Sequence, residues 1–346
     1  MDIISDLTRF FHPVLPANKL KKKPVRIELG GRRYVLFRDH YGQPAALNDA
    51  CPHRKAPLSK GFVRPDGKLT CAYHGWHFDA NGQGCSLAEP KMPHCSTVAY
   101  QVVEKYDYLW LAAKDTPNSA FPQLGGDSFE FAGSFSTFFK VPLPILLDNM
   151  SEAEHQPMIH TLFGWDEDEL SQVEFKAEIF SDRTEVYNKG LLRQTPWFPV
   201  WTVVLGLRVG DYFCDQWITR FNPVHATYTI SYEDSKRGQL RPVMARATMF
   251  MVPETKTSTF LHSFVFFKIA RNSRLRWLRP LVSSIILHGT RIEMAADAHF
   301  IVNLADVPLE LKGMHLGKFD QPIIHNRRLL ESIYFNHSAF ITNSQS

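Results

Sequence analysis

The sequence lacks the features that mark a membrane-spanning or dinucleotide-binding chain. No G-x-G-x-x-G fingerprint occurs, so flavin or nicotinamide chemistry would have to be carried by another polypeptide. The apolar stretch from Trp277 to Leu287 is interrupted at its start by arginines and Pro280. It is far shorter than the roughly 20 residues that span a bilayer, and we expect a buried helix there. No long basic run with interleaved aromatic residues appears, which leaves nucleic-acid binding with little support.

Cysteine is scarce, with 5 residues among 346. Three of them, Cys85, Cys95 and Cys214, lie outside the motifs described below and cannot all form pairs. This usage fits a reducing compartment. The opening segment, MDIISDLTRFFHPVLP, carries acids and has no uninterrupted apolar core, so it resembles neither a secretion signal nor an anchor. We therefore expect a cytoplasmic protein.

The composition is that of a globular protein of enzyme size. Apolar residues make up 44% and charged residues 21% of the chain, with a formal net charge of +4. A length of 346 residues suits two domains. One dense basic cluster occurs, formed by Lys19, Lys21, Lys22, Lys23 and Arg26. We interpret it as a solvated loop, with docking of an acidic electron-transfer partner as the alternative.

Residues 25–111 contain short apolar runs that alternate with turn residues such as Gly30-Gly31 and Asp66-Gly67, which predicts a small all-β domain. Residues 116–133 are rich in Pro and Gly and predict a linker. We therefore place a first domain at 1–115, the linker at 116–133 and a second domain at 134–346.

The second domain is predicted to combine an antiparallel sheet with helices, which makes the whole chain α+β. One helix is expected to contain Leu147 to Leu162, and another to cover Ser284 to Leu304 and pack on the sheet. Strand-like runs occur around residues 173–179, 202–209, 212–221, 226–232 and 245–252.

Two short motifs place paired thiols and imidazoles at matched spacings. Cys51-Pro-His53 is followed, after 17 intervening residues, by Cys71-Ala-Tyr-His74. A Rieske-type [2Fe-2S] cluster needs two thiolates on one iron and two imidazoles on the other, and each motif offers one of each. A structural zinc ion, which also accepts Cys and His at short spacings, is the alternative.

The residues around these ligands carry a family resemblance. The segments CPHRKAPLSKG and CAYHGWHFDANGQG resemble the Rieske domain of Rieske non-haem iron oxygenases. The matching positions besides the ligands are Pro52, Arg54, Leu58, Gly61, Tyr73, Gly75, Trp76, Phe78 and Gly82. The resemblance implies an N-terminal all-β Rieske domain and a C-terminal catalytic domain of the helix-grip (START-like) type.

A second constellation lies in Asn149-Met-Ser-Glu152-Ala-Glu-His155-Gln-Pro-Met-Ile-His160. The two histidines are five residues apart, slightly more than one helical turn, and Pro157 between them prevents regular helical hydrogen bonding. A local distortion there would bring both rings to one metal. A facial triad on Fe(II) needs a third, anionic ligand, and the residues alone do not choose among the acids.

The family resemblance supplies that choice. Its pattern N-x-x-D-x-x-H-x4-H, followed downstream by an aspartate on a helix, is matched by Asn149, His155 and His160, and then by Asp297 in EMAADAHFIVNL. Glu293, one turn earlier, is the alternative third ligand. Glu152 stands where most members have aspartate. By resemblance it would hydrogen-bond His155 and, across a subunit interface, His74, although its longer side chain changes the geometry.

The resemblance implies a Rieske oxygenase with a [2Fe-2S] cluster and a mononuclear Fe(II). Such a protein uses O2 and electrons from a separate reductase or ferredoxin, and it assembles as a ring of three subunits. We expect monooxygenation of an apolar or aromatic small molecule. The alternatives are dealkylation, desaturation, dihydroxylation, oxidation of a quaternary amine, and an electron carrier whose second domain is catalytically idle.

Several aromatic runs are candidates for the wall of a substrate pocket. They are Trp197-Phe198-Pro199-Val200-Trp201, Tyr212-Phe213 and Phe264-Val265-Phe266-Phe267. Aromatic side chains dominate ordinary cores, and we expect most of these to fill the core behind the sheet.

Overall fold

The computed structural model describes residues 6–89, 95–126, 128–196 and 198–336, with the side chain of Phe198 excluded. The chain divides into two compact units: unit 1 comprises Met1–Pro122 and Val252–Lys256, and unit 2 comprises Gln123–Met251 and Thr257–Ser346. The assignment of residues 116–133 as a linker stays a prediction.

Unit 1 contains two antiparallel sheets. Its strands are β1 His12–Pro16, β2 Val25–Leu29, β3 Arg32–Arg38, β4 Pro44–Asn48, β5 Phe62–Val63, β6 Leu69–Thr70, β7 His77–Phe78, β8 Gln83–Cys85, β9 Cys95–Ser96, β10 Ala99–Lys105 and β11 Tyr108–Ala113. One sheet has the order β1-β11-β10-β4-β3-β2, and the other has the order β5-β6-β7-β8-β9. Gly30 and Gly31 close the β2–β3 hairpin with φ of 60° and 79°, as a two-residue turn between twisted strands requires.

Unit 2 is built on one seven-stranded antiparallel sheet. Its strands are β12 Glu130–Phe139, β13 Glu174–Ile179, β14 Arg183–Leu191, β15 Tyr212–Phe221, β16 Val224–Glu233, β17 Val243–Pro253 and β18 Thr259–Ile269, in the order β12-β18-β17-β16-β15-β14-β13. The helices are α1 Leu143–Asn149, α2 Gln156–Ile159, α3 Phe198–Val204, α4 Arg279–Ile301 and α5 Gln321–Leu329. The predicted α+β class is confirmed.

The helix predicted over Leu147 to Leu162 is wrong, because α1 ends at Asn149 and α2 covers only 156–159. The Glu152 carboxylate accepts the backbone N–H groups of Glu154 and His155 at 2.5 and 3.2 Å, which gives these amides partners outside a helix. Pro157 is tolerated because it occupies the first turn of α2.

Two further predictions differ from the structure. The strand expected at 202–209 is wrong, since α3 runs to Val204 and Gly206 follows at a φ of +73°. The helix expected at 277–287 forms, but Trp277 is not buried. It belongs to a 3-10 turn, Arg274–Leu278, ahead of α4, and its side chain is 91% exposed. Within the described residues no helix is both long enough and apolar enough to cross a membrane.

His225 is an enclosed imidazole on β16. Its ring stacks on Phe250 with 4.8 Å between centroids, and Nδ1–H donates to Pro223 O at 2.7 Å. Burial lowers the pKa of His225 to about 4, although the bond to Pro223 acts in the opposite direction. An unfolded histidine titrates near 6.5. The unfolded state therefore binds more protons between these two values, and stability is lost as the pH falls through that window.

We expect His225 alone to lower the free energy of unfolding by about 2 kcal/mol between pH 7 and pH 5. Replacing it with glutamine removes that part of the pH dependence. Urea denaturation of the wild type and of His225→Gln at both pH values measures the difference. Equal pH dependence in the two proteins would contradict the assignment.

Candidate metal centres and substrate cavity

The two predicted cluster motifs of unit 1 fold into loops with the same backbone pattern. In the first loop Cys51 N–H donates to Ala56 O at 2.8 Å, and Lys55 N–H donates to Cys51 O at 2.8 Å. The second loop repeats both bonds, from Cys71 to Trp76 at 2.7 Å and from Gly75 to Cys71 at 3.0 Å. The fifth residue of each loop has a positive φ, 59° at Lys55 and 74° at Gly75.

These twin loops bring all four predicted ligands together. The rings of His53 and His74 lie 4.6 Å apart between centroids, and both thiols are buried. Burial raises the pKa of the Cys51 thiol to about 11, and the adjacent Cys71 adds to the shift, whereas the N–H groups of His53 and Arg54 lower it. Two crowded thiols beneath two exposed imidazoles fit a [2Fe-2S] cluster, whose irons would stabilise both thiolates.

The buried carboxylate of Asp49 joins the two ends of the first loop and also pairs with the partly exposed Arg26. The carboxylate of Asp49, whose side chain has no exposed surface, accepts Arg26 Nε–H at 2.5 Å. It also accepts the Ser59 amide at 2.6 Å and the Ser59 hydroxyl at 2.7 Å. Arg26 therefore has a structural role, unlike the exposed lysines that precede it in the sequence. The two hydrogen bonds from Ser59 tie residue 49 to residue 59 and so close the loop that carries Cys51 and His53.

The three remaining cysteines are also free thiols, and they lie outside the twin loops. Cys85 Sγ is 3.1 Å from His77 Nε2 across the β7–β8 pair. Cys95 lies on β9, and Cys214 is buried on β15.

In unit 2 the structure brings together two histidines and an aspartate that are distant in sequence. His155 Nε2 lies 3.5 Å and His160 Nε2 lies 3.2 Å from the same oxygen of Asp297, Oδ1. One potential ligand atom from each of the three residues lies within 4.8 Å of the others. Asp297 is 1% exposed, and its Oδ2 has no hydrogen-bond partner among the described residues. Two imidazoles and an unsatisfied carboxylate fit a divalent metal ion such as Fe(II).

Glu152 holds one of these rings. Its Oε1 accepts a short hydrogen bond from His155 Nδ1, which leaves Nε2 of that ring directed at Asp297. Burial acts to lower the pKa of His155, but the hydrogen bond and charge of Glu152 raise it overall, with a further contribution from Asp297. The predicted contact between Glu152 and His155 is present. The contact to His74 across a subunit interface stays a prediction.

Glu293, the alternative ligand, is directed elsewhere. It is 5% exposed and accepts the backbone N–H groups of Thr161 and Leu162 at 3.2 and 2.7 Å. Its carboxylate therefore holds the chain immediately after His160 and is not part of the three-residue group.

Arg193 binds backbone carbonyl groups of the same segment. Its guanidinium donates to His160 O at 2.5 Å and to Pro157 O at 2.7 Å. Sequence reasoning missed Arg193, which lies in no motif. It considered Glu293 only as an alternative metal ligand, and the structure shows that this carboxylate instead binds backbone N–H groups.

The three-residue group lies in the wall of a largely apolar cavity enclosed by the sheet, α1, α2 and α4. Its aromatic and aliphatic lining comprises Met150, Phe163, Leu205, Phe213, Tyr228, Ile230, Tyr232, Val243, Ala245, Ala247, Met249, Val265, Ile286 and Met294. Asn149 also lines it, and its buried Nδ2 has no partner among the described residues. Among the described side chains of the predicted aromatic runs, only those of Phe213 and Val265 reach the cavity. Trp197 lies outside the described residues.

Asp215 places a second carboxylate in the cavity wall. Its Oδ2 accepts Gln156 Nε2–H at 3.2 Å, and burial raises the pKa of Asp215 to about 6. Asp215, Asp297 and Glu152 thus surround two histidines, and no Lys or Arg pairs with any of the three within the described part of the chain. An excess of buried carboxylate is a further reason to expect a cation here.

Comparison with known proteins also identifies a Rieske domain in unit 1. The family model described as the Rieske [2Fe-2S] domain matches residues 10–106. Chlorophyllide a oxygenase of Chlamydomonas reinhardtii is 34% identical over 168 residues, which cover 46% of this chain and 26% of that protein. The 4beta-methylsterol monooxygenase of Methylococcus capsulatus is 32% identical over 40% of this chain and 41% of its own length. The chain thus spans less than half of these two relatives.

Other matches extend through both units. The vanillate O-demethylase oxygenase subunit of Pseudomonas sp. (strain HR199 / DSM 7063) is 29% identical over 74% of this chain and 75% of its own length. The crystal structure of dicamba monooxygenase bound to dicamba shares the fold, with a TM-score of 0.68 at 17% identity over 95% of this chain and 97% of that chain. The predicted cofactors, a Rieske cluster and a non-haem iron, are confirmed as those of such proteins. Residues 10–106 therefore form a Rieske [2Fe-2S] domain, and over both units the chain is similar to Rieske non-haem iron oxygenases in sequence and in fold.

Proposed function

We propose that this protein is the oxygenase component of a system that uses O2 and electrons from a separate donor to monooxygenate an apolar or aromatic small molecule. The observation that carries the proposal is the convergence of His155, His160 and Asp297 in the wall of an apolar cavity. A metal held there by three protein ligands keeps open positions that face the cavity.

The residues of the chain have distinct tasks in this proposal. The bound metals supply the redox chemistry, with single electrons from the [2Fe-2S] cluster and activation of O2 at the Fe(II). Cys51, Cys71, His53 and His74 would hold the cluster. Glu152 fixes the tautomer of His155 through Nδ1, so that Nε2 is the free donor atom. The apolar wall excludes water and positions the substrate beside the triad.

Dealkylation is a second outcome that a specific observation favours. The relative matched over three quarters of its length is named as an O-demethylase oxygenase subunit, and the shared fold is that of a monooxygenase. Hydroxylation of a methyl group attached to oxygen yields an unstable hemiacetal, so one reaction produces either result according to which carbon lies at the metal. The identity of the substrate therefore decides between a hydroxylated and a demethylated product.

The partners remain proposals. A separate reductase or ferredoxin would supply electrons, and a ring of three subunits would place the cluster of one chain near the iron of the next. In such a ring Glu152 would contact His74 of the next subunit. Both of its oxygens already accept hydrogen bonds within its own chain, so this contact would have to share one of them. The cytoplasmic location also stays a prediction of the sequence.

His160→Ala tests the proposed function. We expect loss of the mononuclear iron and of oxygen-dependent product, with the visible spectrum and reduced-state electron paramagnetic resonance signal of the cluster unchanged. Iron content, spectra and turnover with a surrogate reductase measure the three effects. The drop in rate should be on the order of a thousandfold or more, since a bound metal contributes several kcal/mol to catalysis.

The same measurements address the two alternatives. If the second domain is catalytically idle, His160→Ala should have the same iron content and the same turnover as the wild type. A zinc protein would be colourless and silent in electron paramagnetic resonance. Either result would overturn the proposed function.

A further inference from the structure

Trp277 presents its side chain to solvent at the start of α4. At 91% it is the most exposed large apolar residue of the described chain, and Leu281, one turn later, is 46% exposed. The 3-10 turn Arg274–Leu278 holds this position through Ser273, whose Oγ accepts the Leu275 amide at 3.2 Å. A single exposed apolar residue needs no explanation, but Trp277 and Leu281 lie one turn apart, and grouped exposed apolar residues mark interaction sites.

The surrounding charge has one sign. Residues 255–292 contain no Asp or Glu, and their basic residues are Lys256, Lys268, Arg271, Arg274, Arg276, Arg279 and Arg291. Arg279 pairs with Glu130. Arg271, Arg274 and Arg276 are exposed, and no carboxylate of the described residues pairs with them. We call residues 271–281 the basic–aromatic patch.

The patch adjoins elements that wall the substrate cavity. Ile286 and Thr290 of α4 line the cavity, as does Leu205 directly after α3. The segment after α3 approaches the 3-10 turn before α4, since a Cβ added to Gly206 would lie 3.2 Å from Leu275 Cδ1. In α3 itself, Val203 is 65% exposed. An exposed surface that is apolar and basic therefore adjoins elements that also line the cavity.

We propose that the basic–aromatic patch docks on the surface of an anionic lipid bilayer. Trp277 and Leu281 enter the headgroup region, and Arg271, Arg274 and Arg276 contact lipid phosphates. Tryptophan is suited to the membrane interface, and basic residues near it attract anionic lipids. An isologous contact with a second copy of the chain is disfavoured, because two identical basic surfaces repel each other. A heterologous contact, in which the patch meets a different surface of the next copy, is the outcome that the measurement of oligomeric state below would detect. The inference goes beyond the proposed oxygenase function and does not depend on it.

Sedimentation of the full, metal-loaded protein with vesicles tests the proposal. We expect binding to vesicles of phosphatidylcholine mixed with phosphatidylglycerol, weakening with salt, and little binding to phosphatidylcholine alone. Trp277→Ala should lower the partition coefficient by about tenfold or more. Each of Arg274→Gln and Arg276→Gln should lower it by about fivefold.

A charge-matched control removes the general effect of net charge. The variant Lys21→Gln neutralises one exposed lysine of unit 1, as each arginine variant neutralises one arginine, and it should bind as the wild type does. Unchanged binding of Trp277→Ala, or equal losses in the lysine control and in the arginine variants, would overturn the proposal. So would a change in oligomeric state of Trp277→Ala on size exclusion without any change in vesicle binding, since the patch would then contact a second copy.

Discussion

Asp297→Asn is expected to abolish the mononuclear iron and to reduce turnover on the order of a thousandfold or more. The substitution keeps the size of the side chain but removes the only anionic donor that, among the residues the structure describes, lies within reach of both His155 Nε2 and His160 Nε2. Two neutral imidazoles alone bind Fe(II) weakly. Iron content per chain and product formation measure the loss, while the cluster spectrum reports that unit 1 is intact.

Glu293→Gln is the matched comparison, because both carboxylates lie on α4 one turn apart. The Thr161 and Leu162 amides donate to different oxygens of Glu293, so glutamine keeps an acceptor for only one of them. The iron should be retained with an affinity lowered by roughly tenfold to a hundredfold, as for other groups that orient ligands. If Glu293→Gln loses the iron completely and Asp297→Asn keeps it, the ligand assignment is reversed.

Cys71→Ser should remove the [2Fe-2S] cluster and with it all turnover driven by an external reductase. Serine is a poor substitute for a thiolate on iron, and Cys71 shares its buried environment with the second thiol, Cys51. The iron of unit 2 is expected to remain, because none of its predicted ligands belongs to unit 1. Visible absorption, sulfide content and iron content measure the result.

Cys85→Ser provides the control for this experiment. Cys85 lies on β8 of the same unit and contacts His77, but it belongs to neither twin loop. Its replacement should leave the cluster absorption and reductase-driven turnover at the level of the wild type. Loss of the cluster in Cys85→Ser to the same extent as in Cys71→Ser would mean that the ligand set has been misassigned.

The Rieske domain was the most predictable part of this molecule. Its four predicted ligands lie within residues 51–74, and a Rieske cluster dictates both the types of such ligands and their short spacings. The triad was harder, because Asp297 is 137 residues from His160. The residues alone left the acid open, and only the family pattern selected Asp297. The structure brings the three together, and their role as iron ligands stays a prediction.

What the sequence could not predict depends on contacts between distant residues. Glu293 and Arg193 reach the His160 segment through backbone atoms, which leave no trace in side-chain types. Strand β14 was missed because two of its buried positions are Thr184 and Asn188, so the usual apolar alternation is weak. Trp277 was expected to be buried as part of an apolar run. This expectation was wrong because an apolar run does not show which of its residues face solvent.

The separation of the two predicted ligand sets along the chain constrains the order in which a newly synthesised molecule completes its two proposed sites. The twin loops end at residue 76 and their hydrogen bonds are local, but the six-stranded sheet of their unit also needs β10 and β11, which ends at Ala113. The predicted triad instead requires Asp297, which follows all strands of the seven-stranded sheet and lies near the end of α4. A nascent chain can thus form the proposed cluster site early, whereas the proposed iron site can form only after nearly the whole polypeptide has been synthesised.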